Sequence, residues 1–168
     1  AMADRIVLMD QGRIVQESAP RQLYARPANT FAARFVGRMN VWAGQLDGDG
    51  RVRVGEQTLE ILVTGPRTSG DSPQIGIRPE QVVLRERDWA NERAPQPRPL
   101  PPNRVPVEVR DMVFCGAYIQ VRLDAPTMGT TLEAEVTTPL GGALPWARGD
   151  RIEAELPAAA LVVLDGHA

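Results

Sequence analysis

The feature that most constrains this chain is how often a turn residue interrupts it. From Val41 onward the apolar residues fall in short runs: Val41 to Leu46, Arg51 to Val54, Thr58 to Val63, Gln74 to Arg78, Val82 to Leu84, Val105 to Val113, Tyr118 to Leu123, Thr131 to Val136, Arg151 to Leu156 and Leu161 to Leu164. Between them stand the DGDG of Asp47 to Gly50, a polar loop over 65–73, Gly116, the Ala125 to Gly129 turn, Gly141-Gly142 and Gly149-Asp150. Runs this short leave no room for long helices. Many short strands joined by tight turns predict a small β-barrel or sandwich. With 168 residues, 15 of them Gly and 15 Pro, the chain is long enough to hide about 70% of its unfolded surface.

The N-terminal part has another pattern. Arg5 to Asp10 and Arg13 to Glu17 are β-type runs around Gln11-Gly12, which predicts a hairpin. A lone hairpin is marginal in water, so it must lean on another surface. Ser18 is the expected cap of a helix running to Arg26, with Pro20 in its first turn and Pro27 as its stop. A second helix is expected from Asn29, its cap, to Val36. Phe31, Ala32, Phe35 and Val36 form its apolar stripe, with Phe31 and Phe35 as anchors, and Gly37 follows at C′. The expected layout is a hairpin with two helices over 1–39, then the barrel over 40–168. Inside the barrel, Asp88 to Asn103 carries Pro95, Pro97, Pro99, Pro101 and Pro102, with few apolar side chains besides Trp89 and Leu100; a mobile, extended loop is predicted.

Composition excludes several functions. All 19 basic residues are Arg, the net charge is −2 and aromatics make up 5%, so no nucleic-acid groove is expected. No apolar run reaches the 18 residues that suggest a membrane span, and no signal-peptide pattern follows Ala1 to Arg5. Cys115 is the only cysteine and His167 the only histidine. There is then no intrachain disulfide and no metal cluster of the usual kind; a reducing compartment and a buried, inert Cys115 are expected. A phosphate-binding P-loop needs a lysine, and the chain has none. No catalytic residue and no cofactor is expected in it.

The segment Ala3 to Asn40 resembles the end of the nucleotide-binding domain of ABC importer ATPases, of the polyamine, iron and sugar importer groups. The resemblance is carried by Ala3-Asp4-Arg5-Ile6, Gly12-Arg13-Ile14, Leu23-Tyr24, Pro27-Ala28-Asn29 and Phe35-Val36-Gly37. The remainder resembles the TOBE domain that follows in those subunits, through Gly76-Ile77-Arg78-Pro79-Glu80, Phe114-Cys115-Gly116 with Tyr118, and Gly149-Asp150. Its Pro-rich loop is longer than expected of that family. The resemblance implies a mostly β fold, an OB-like barrel preceded by a hairpin and two short helices. It implies that the Walker A, Walker B and signature motifs and the switch histidine lie upstream, so that ATP and Mg bind only the full-length subunit. It further implies a homodimer, contact with the nucleotide-binding domain and through it with membrane subunits, and a place in the cytoplasm at the inner membrane. Transported substrate would be chosen by other subunits.

Within the motif, Arg78, Pro79 and Glu80, with Gly116 from the later one, are the candidate site residues. One reading makes Arg78-Pro79-Glu80 a strand end, with φ fixed by Pro79 and the charges paired to neighbours or backbone. The other makes it a contact that relays between this domain and the ATPase core or a second subunit. Trp42, Trp89 and Trp146 are expected to pack in a core or interface. Apolar stretches at Leu140 to Trp146 and Leu161 to Leu164 offer surface for self-association. An alternative function is a barrel that senses a small oxyanion, for which Ser69-Gly70 and Thr137-Thr138 could supply donors.

Overall fold

The computed structural model describes residues 3–47, 50–62, 72–86, 101–139 and 144–164. The chain opens with the hairpin: β1 (Ile6–Asp10) pairs antiparallel with β2 (Arg13–Ser18), Asp10 opposite Arg13. Gln11 and Gly12 take φ of +47° and +79°. Two successive positive φ values make the primed type of turn that matches strand twist.

Two helices follow, α1 (Pro20–Ala25) and α2 (Thr30–Phe35). Ala19, not Ser18, caps α1, and no side chain serves as cap there. Pro20 occupies the first helical position, so one missing donor no longer needs a partner. At α2 the expected cap holds: Asn29 Oδ1 accepts from the Ala32 N–H at 2.9 Å. Leu8, Leu23 and Ala32 are the buried centre of this part, with Ile6, Val15, Phe31 and Val36 packed around them. Phe31 joins that cluster. Phe35 instead is 68% exposed, its ring 5.9 Å from that of Phe31.

The rest is a curled half-barrel of strands. The long sheet has the order β11-β10-β9-β12-β8, from β8 (Val83–Arg85), β9 (Arg104–Phe114), β10 (Tyr118–Ala125), β11 (Thr130–Thr137) and β12 (Arg151–Glu155). A second sheet sets β7 (Gln74–Ile77) between β3 (Asn40–Ala43) and β13 (Val162–Leu164). A third holds β4 (Gln45–Leu46), β5 (Arg51–Val54) and β6 (Gln57–Glu60). The predicted strand Val41 to Leu46 is thus two, broken at Gly44. A Cβ there would lie 2.5 Å from Val52 Cγ2, so two sheets meet over this glycine. Alternation along β5 and β9 sends Val52, Val54, Val105, Val107 and Val109 into one core with Leu59, Ile75, Ile77, Val121, Leu123, Leu132 and Leu156. Among the described residues no helix is long and apolar enough to cross a membrane.

Two buried asparagines join sheets that share no ladder. Asn40 on β3 exchanges hydrogen bonds with the main chain of Glu133 on β11, donating to its carbonyl at 2.9 Å and accepting its N–H at 2.7 Å. Asn103 does the same for Glu60 on β6, at 2.8 and 2.6 Å, and donates also to the Leu156 carbonyl at 2.8 Å. Each amide stands in for a peptide group at a strand edge and satisfies backbone groups that burial would otherwise orphan.

Several expectations change here. Asn103 is anchored and only 4% exposed, so the loop stops before it. Of the Pro-rich stretch, Pro101 to Asn103 are described and the remainder lies outside the described residues, with Trp89, Ser69-Gly70, Gly48-Asp49, Leu140 to Ala143 and His167. Cys115 is exposed, not buried, because it sits in the β9–β10 turn. Leu161 and Leu164 are buried, Val162 to Leu164 forming a ladder with β7, and so offer little surface for a partner. Trp42 is buried as expected, and its Nε1 donates to the Thr131 carbonyl at 3.4 Å. Trp146 packs at the core edge with a buried Nε1 that has no partner among the described residues.

Candidate functional site

Strand β7 delivers Arg78 to the seam between the helices and the strands. Pro79 opens a short 3-10 turn over Pro79–Gln81 and keeps Arg78 extended at φ −71° and ψ 142°. The guanidinium reaches the ends of both helices, and Arg78 is 1% exposed. Nη1 donates to the carbonyls of Ala33 (3.1 Å) and Arg38 (2.8 Å), and Nη2 to that of Tyr24 (3.1 Å). Cζ stands 4.2 Å from the centre of the Tyr24 ring.

Those acceptors explain the residue type. Tyr24 and Ala33 lie in the last turns of α1 and α2, where carbonyls lack helical partners and carry the negative end of the dipole. A planar, delocalised cation can serve several of them at once while stacking on an aromatic face. No carboxylate is needed to hold it. Burial pushes the Arg78 pKa down, against the favourable charges of Tyr24 and Glu80.

Glu80 closes a second link. Its Oε1 accepts from the Tyr24 hydroxyl at 2.7 Å. The Tyr24 pKa is raised, first by desolvation and then by the Glu80 hydrogen bond. Two glycines make room: a Cβ on Gly37 would lie 3.3 Å from the Tyr24 ring, and one on Gly76 would lie 2.6 Å from the Met39 sulfur.

Arg38 extends the link into the long sheet. Its carbonyl is held by Arg78, while its side chain bonds Gln120 Oε1 at 3.0 Å and Glu133 Oε2 at 2.7 Å. A chain of polar contacts therefore runs from Glu80 through Tyr24, Arg78 and Arg38 to β10 and β11. Arg78, Pro79 and Glu80 come together as their spacing suggests. Gly116 is elsewhere: it turns β9 into β10 at φ +82°, and its carbonyl accepts from Thr138 Oγ1 at 2.7 Å. That bond engages the Thr138 hydroxyl.

Sequence reasoning missed Tyr24, Arg38, Asn40 and Asn103. Tyr24 stood out only within the Leu23-Tyr24 pair of the resemblance, with no role attached, and a lone Asn beside a strand carries no periodic signal. No group of His, Cys, Asp and Glu among the described residues could hold a metal ion.

Residues 75–164 match the TOBE domain family. The sulfate/thiosulfate import ATP-binding protein CysA 2 of Chromobacterium violaceum is 32% identical over 169 residues, spanning 100% of this chain and 43% of that protein. The sn-glycerol-3-phosphate import ATP-binding protein UgpC of Pectobacterium atrosepticum is 37% identical over 52% of this chain and 26% of its own length. The spermidine/putrescine import ATP-binding protein PotA of Lawsonia intracellularis is 26% identical over 90% of this chain and 40% of its own length. The chain thus spans less than half the length of these relatives and matches their C-terminal part. Among solved structures, the cytoplasmic molybdate-binding protein ModG, with molybdate bound, shares the fold at TM-score 0.59 and 18% identity, over 75% of this chain and 95% of that one.

Proposed function

The chain belongs to the TOBE domain family, and from that membership we propose that it is the C-terminal accessory part of an ABC importer's ATP-binding subunit. Its role is to couple the subunit's ATPase core to its own barrel and to hold two subunits together. ATP and Mg bind upstream, in the nucleotide-binding domain, and this part does no chemistry of its own. It works in the cytoplasm, at the inner membrane, with that domain, a second copy of itself and, through them, the membrane subunits. Residues 1–39 complete the nucleotide-binding domain and 40–168 form the accessory domain.

The observation that carries this reading is the Arg78 junction. One buried guanidinium holds the ends of α1 and α2 and the Arg38 carbonyl in the link that leads into β3, so a shift of the helices moves the barrel with them. In the full-length subunit, reassembled with its membrane partners, Glu80→Gln should reduce substrate uptake per ATP hydrolysed while basal hydrolysis stays near normal. Uptake and hydrolysis falling in equal proportion would reject coupling through the motif. For dimerisation, light scattering of this chain over a dilution series should show a mass approaching two chains. A single-chain mass at every concentration would remove that part of the reading.

The ModG fold supports a second reading, a barrel that binds a small oxyanion. The engaged Thr138 hydroxyl weighs against Thr137-Thr138 as its donors. Titration calorimetry with molybdate and with sulfate would decide it, saturable heat from either one favouring the sensor.

A further inference from the structure

Between the α1–α2 corner and the strand β13 lies a cleft of about 550 Å³. One wall is Arg26, Pro27 and Ala28; the other is Ala159 to Val163; Leu62 and Gln81 line it as well. We propose that this cleft binds a small organic carboxylate, its charge on Arg26 and its apolar body against Leu62 and Ala160. The proposal is independent of the coupling role.

Charge is the first support. Arg38, Arg85, Arg104 and Arg110 each face a carboxylate. The Arg26 guanidinium has no hydrogen-bond or ion-pair partner among the described residues, and neither has the Gln81 side-chain amide. Among the described residues no acidic one lines the cleft. An unpaired fork of donors in a cleft that an amide also lines suits a carboxylate, which accepts two parallel hydrogen bonds. Leu62 adds the apolar element: it is 65% exposed at the cleft, and a ligand with a short alkyl body would cover it.

The walls are also fixed before any ligand arrives. Gln16 pins the α1–α2 corner, donating to the Arg26 carbonyl at 3.1 Å and accepting from the Ala28 N–H at 2.8 Å. The opposite wall is a turn closed by the Ala160 and Leu161 N–H groups on the Pro157 carbonyl, at 2.8 and 3.2 Å. Gln81 hangs from the turn that Pro79 starts, its N–H bonded to the Arg78 carbonyl at 3.0 Å. A cleft with fixed walls, mixed lining and a few convergent polar groups is the usual form of a small-molecule site, and fixed walls lower the ordering cost of binding.

Hexanoate is the probe, with hexanol and sulfate as controls, followed by amide chemical shifts of this chain in solution. Saturable shifts at Ala28, Leu62, Gln81 and Ala160 are expected from hexanoate alone. Arg26→Gln should weaken that binding about tenfold; its side chain supports no other group, so the fold should survive, which the unchanged remainder of the spectrum verifies. Equal shifts from sulfate would mean unspecific attraction to Arg26, and equal shifts from hexanol an apolar patch only. Either result, or shifts that do not saturate by about 10 mM, would overturn the proposal.

Discussion

The side-chain amide of Asn40 satisfies both main-chain groups of Glu133, its Oδ1 2.7 Å from the N–H and its Nδ2 2.9 Å from the carbonyl oxygen. Strand β3 belongs to one sheet and β11 to the edge of another, so this amide, with the Trp42 Nε1 bond to the Thr131 carbonyl, ties a seam that no ladder crosses. It also covers the middle of an edge strand that would otherwise present unpaired groups to another chain.

Asn40→Ala should therefore destabilise the fold by about 1–2 kcal/mol, since two half-buried backbone groups lose their partner at once. Asn103→Ala should cost more. It breaks the equivalent pairing with Glu60 and also forces an alanine to φ +62°. Asn103→Gly removes the amide without that strain and should recover about 1 kcal/mol of the loss. Urea unfolding of the three variants would test the order; an Asn40→Ala midpoint equal to that of the parent would show that water replaces the amide freely.

Arg78 is tested best through the helices it holds. Arg78→Met leaves the Tyr24, Ala33 and Arg38 carbonyls without their shared donor, and a loss of about 3 kcal/mol is expected. Arg78→Lys keeps a charge but loses the planar fork and the stacking on Tyr24, so it should fall between the two. The loss should be local. The Arg26 and Val36 amides, which close the two helices on Gln22 and Ala32, should exchange hydrogen faster, while amides in β9 and β10 keep their protection. Uniform loss of protection would show that the helices and strands unfold as one unit.

Much of this was legible in the sequence, and the limits have physical causes. The strands of the long sheet came out within about two residues because period-two burial and glycine turns mark both their interiors and their ends. The α2 cap was readable because Asn29 stands directly before an apolar stripe. Ala19 at the α1 cap was not, since Pro20 made a side-chain cap unnecessary and Ser18 stayed in β2. Arg78 was singled out by its motif, yet its acceptors are backbone carbonyls, which no residue type announces. Cys115 misled because free cysteine is usually buried, whereas here it shares a turn with Gly116, which needs positive φ.

Two glycines separate kinds of crowding. A Cβ on Gly76 would meet the Met39 Sδ at 2.6 Å, and that thioether sits on a flexible side chain that can swing aside. A Cβ on Gly55 would lie 2.8 Å from the Met128 backbone, and φ there is +61°. Gly76→Ala should cost about 1 kcal/mol and Gly55→Ala about 3 kcal/mol or more. A reversed order in urea unfolding would mean that the Met128 turn yields more easily than the Met39 side chain.

Alkaline pH should loosen the Tyr24–Glu80 link. The Tyr24 pKa in the folded chain is raised above its ordinary value of 10.0, by desolvation first and by Glu80 second. The folded state then holds the phenol proton more tightly than the unfolded state does. Below the unfolded pKa both states are protonated and the contribution is fully present. As pH climbs from there through the folded pKa, the unfolded chain releases its proton first and stability falls. The phenolate also loses its donor hydrogen and faces the Glu80 carboxylate as a like charge. Tyr118 is raised as well, chiefly by the charge on Cys115, so the parent protein carries two such contributions. Tyr24→Phe removes one of them. Its urea midpoint should decline less steeply than the parent's between about pH 9 and 11, at the cost of a lower value at neutral pH where the hydrogen bond is intact. Parallel declines in the two proteins would leave Tyr24 without a part in the alkaline sensitivity.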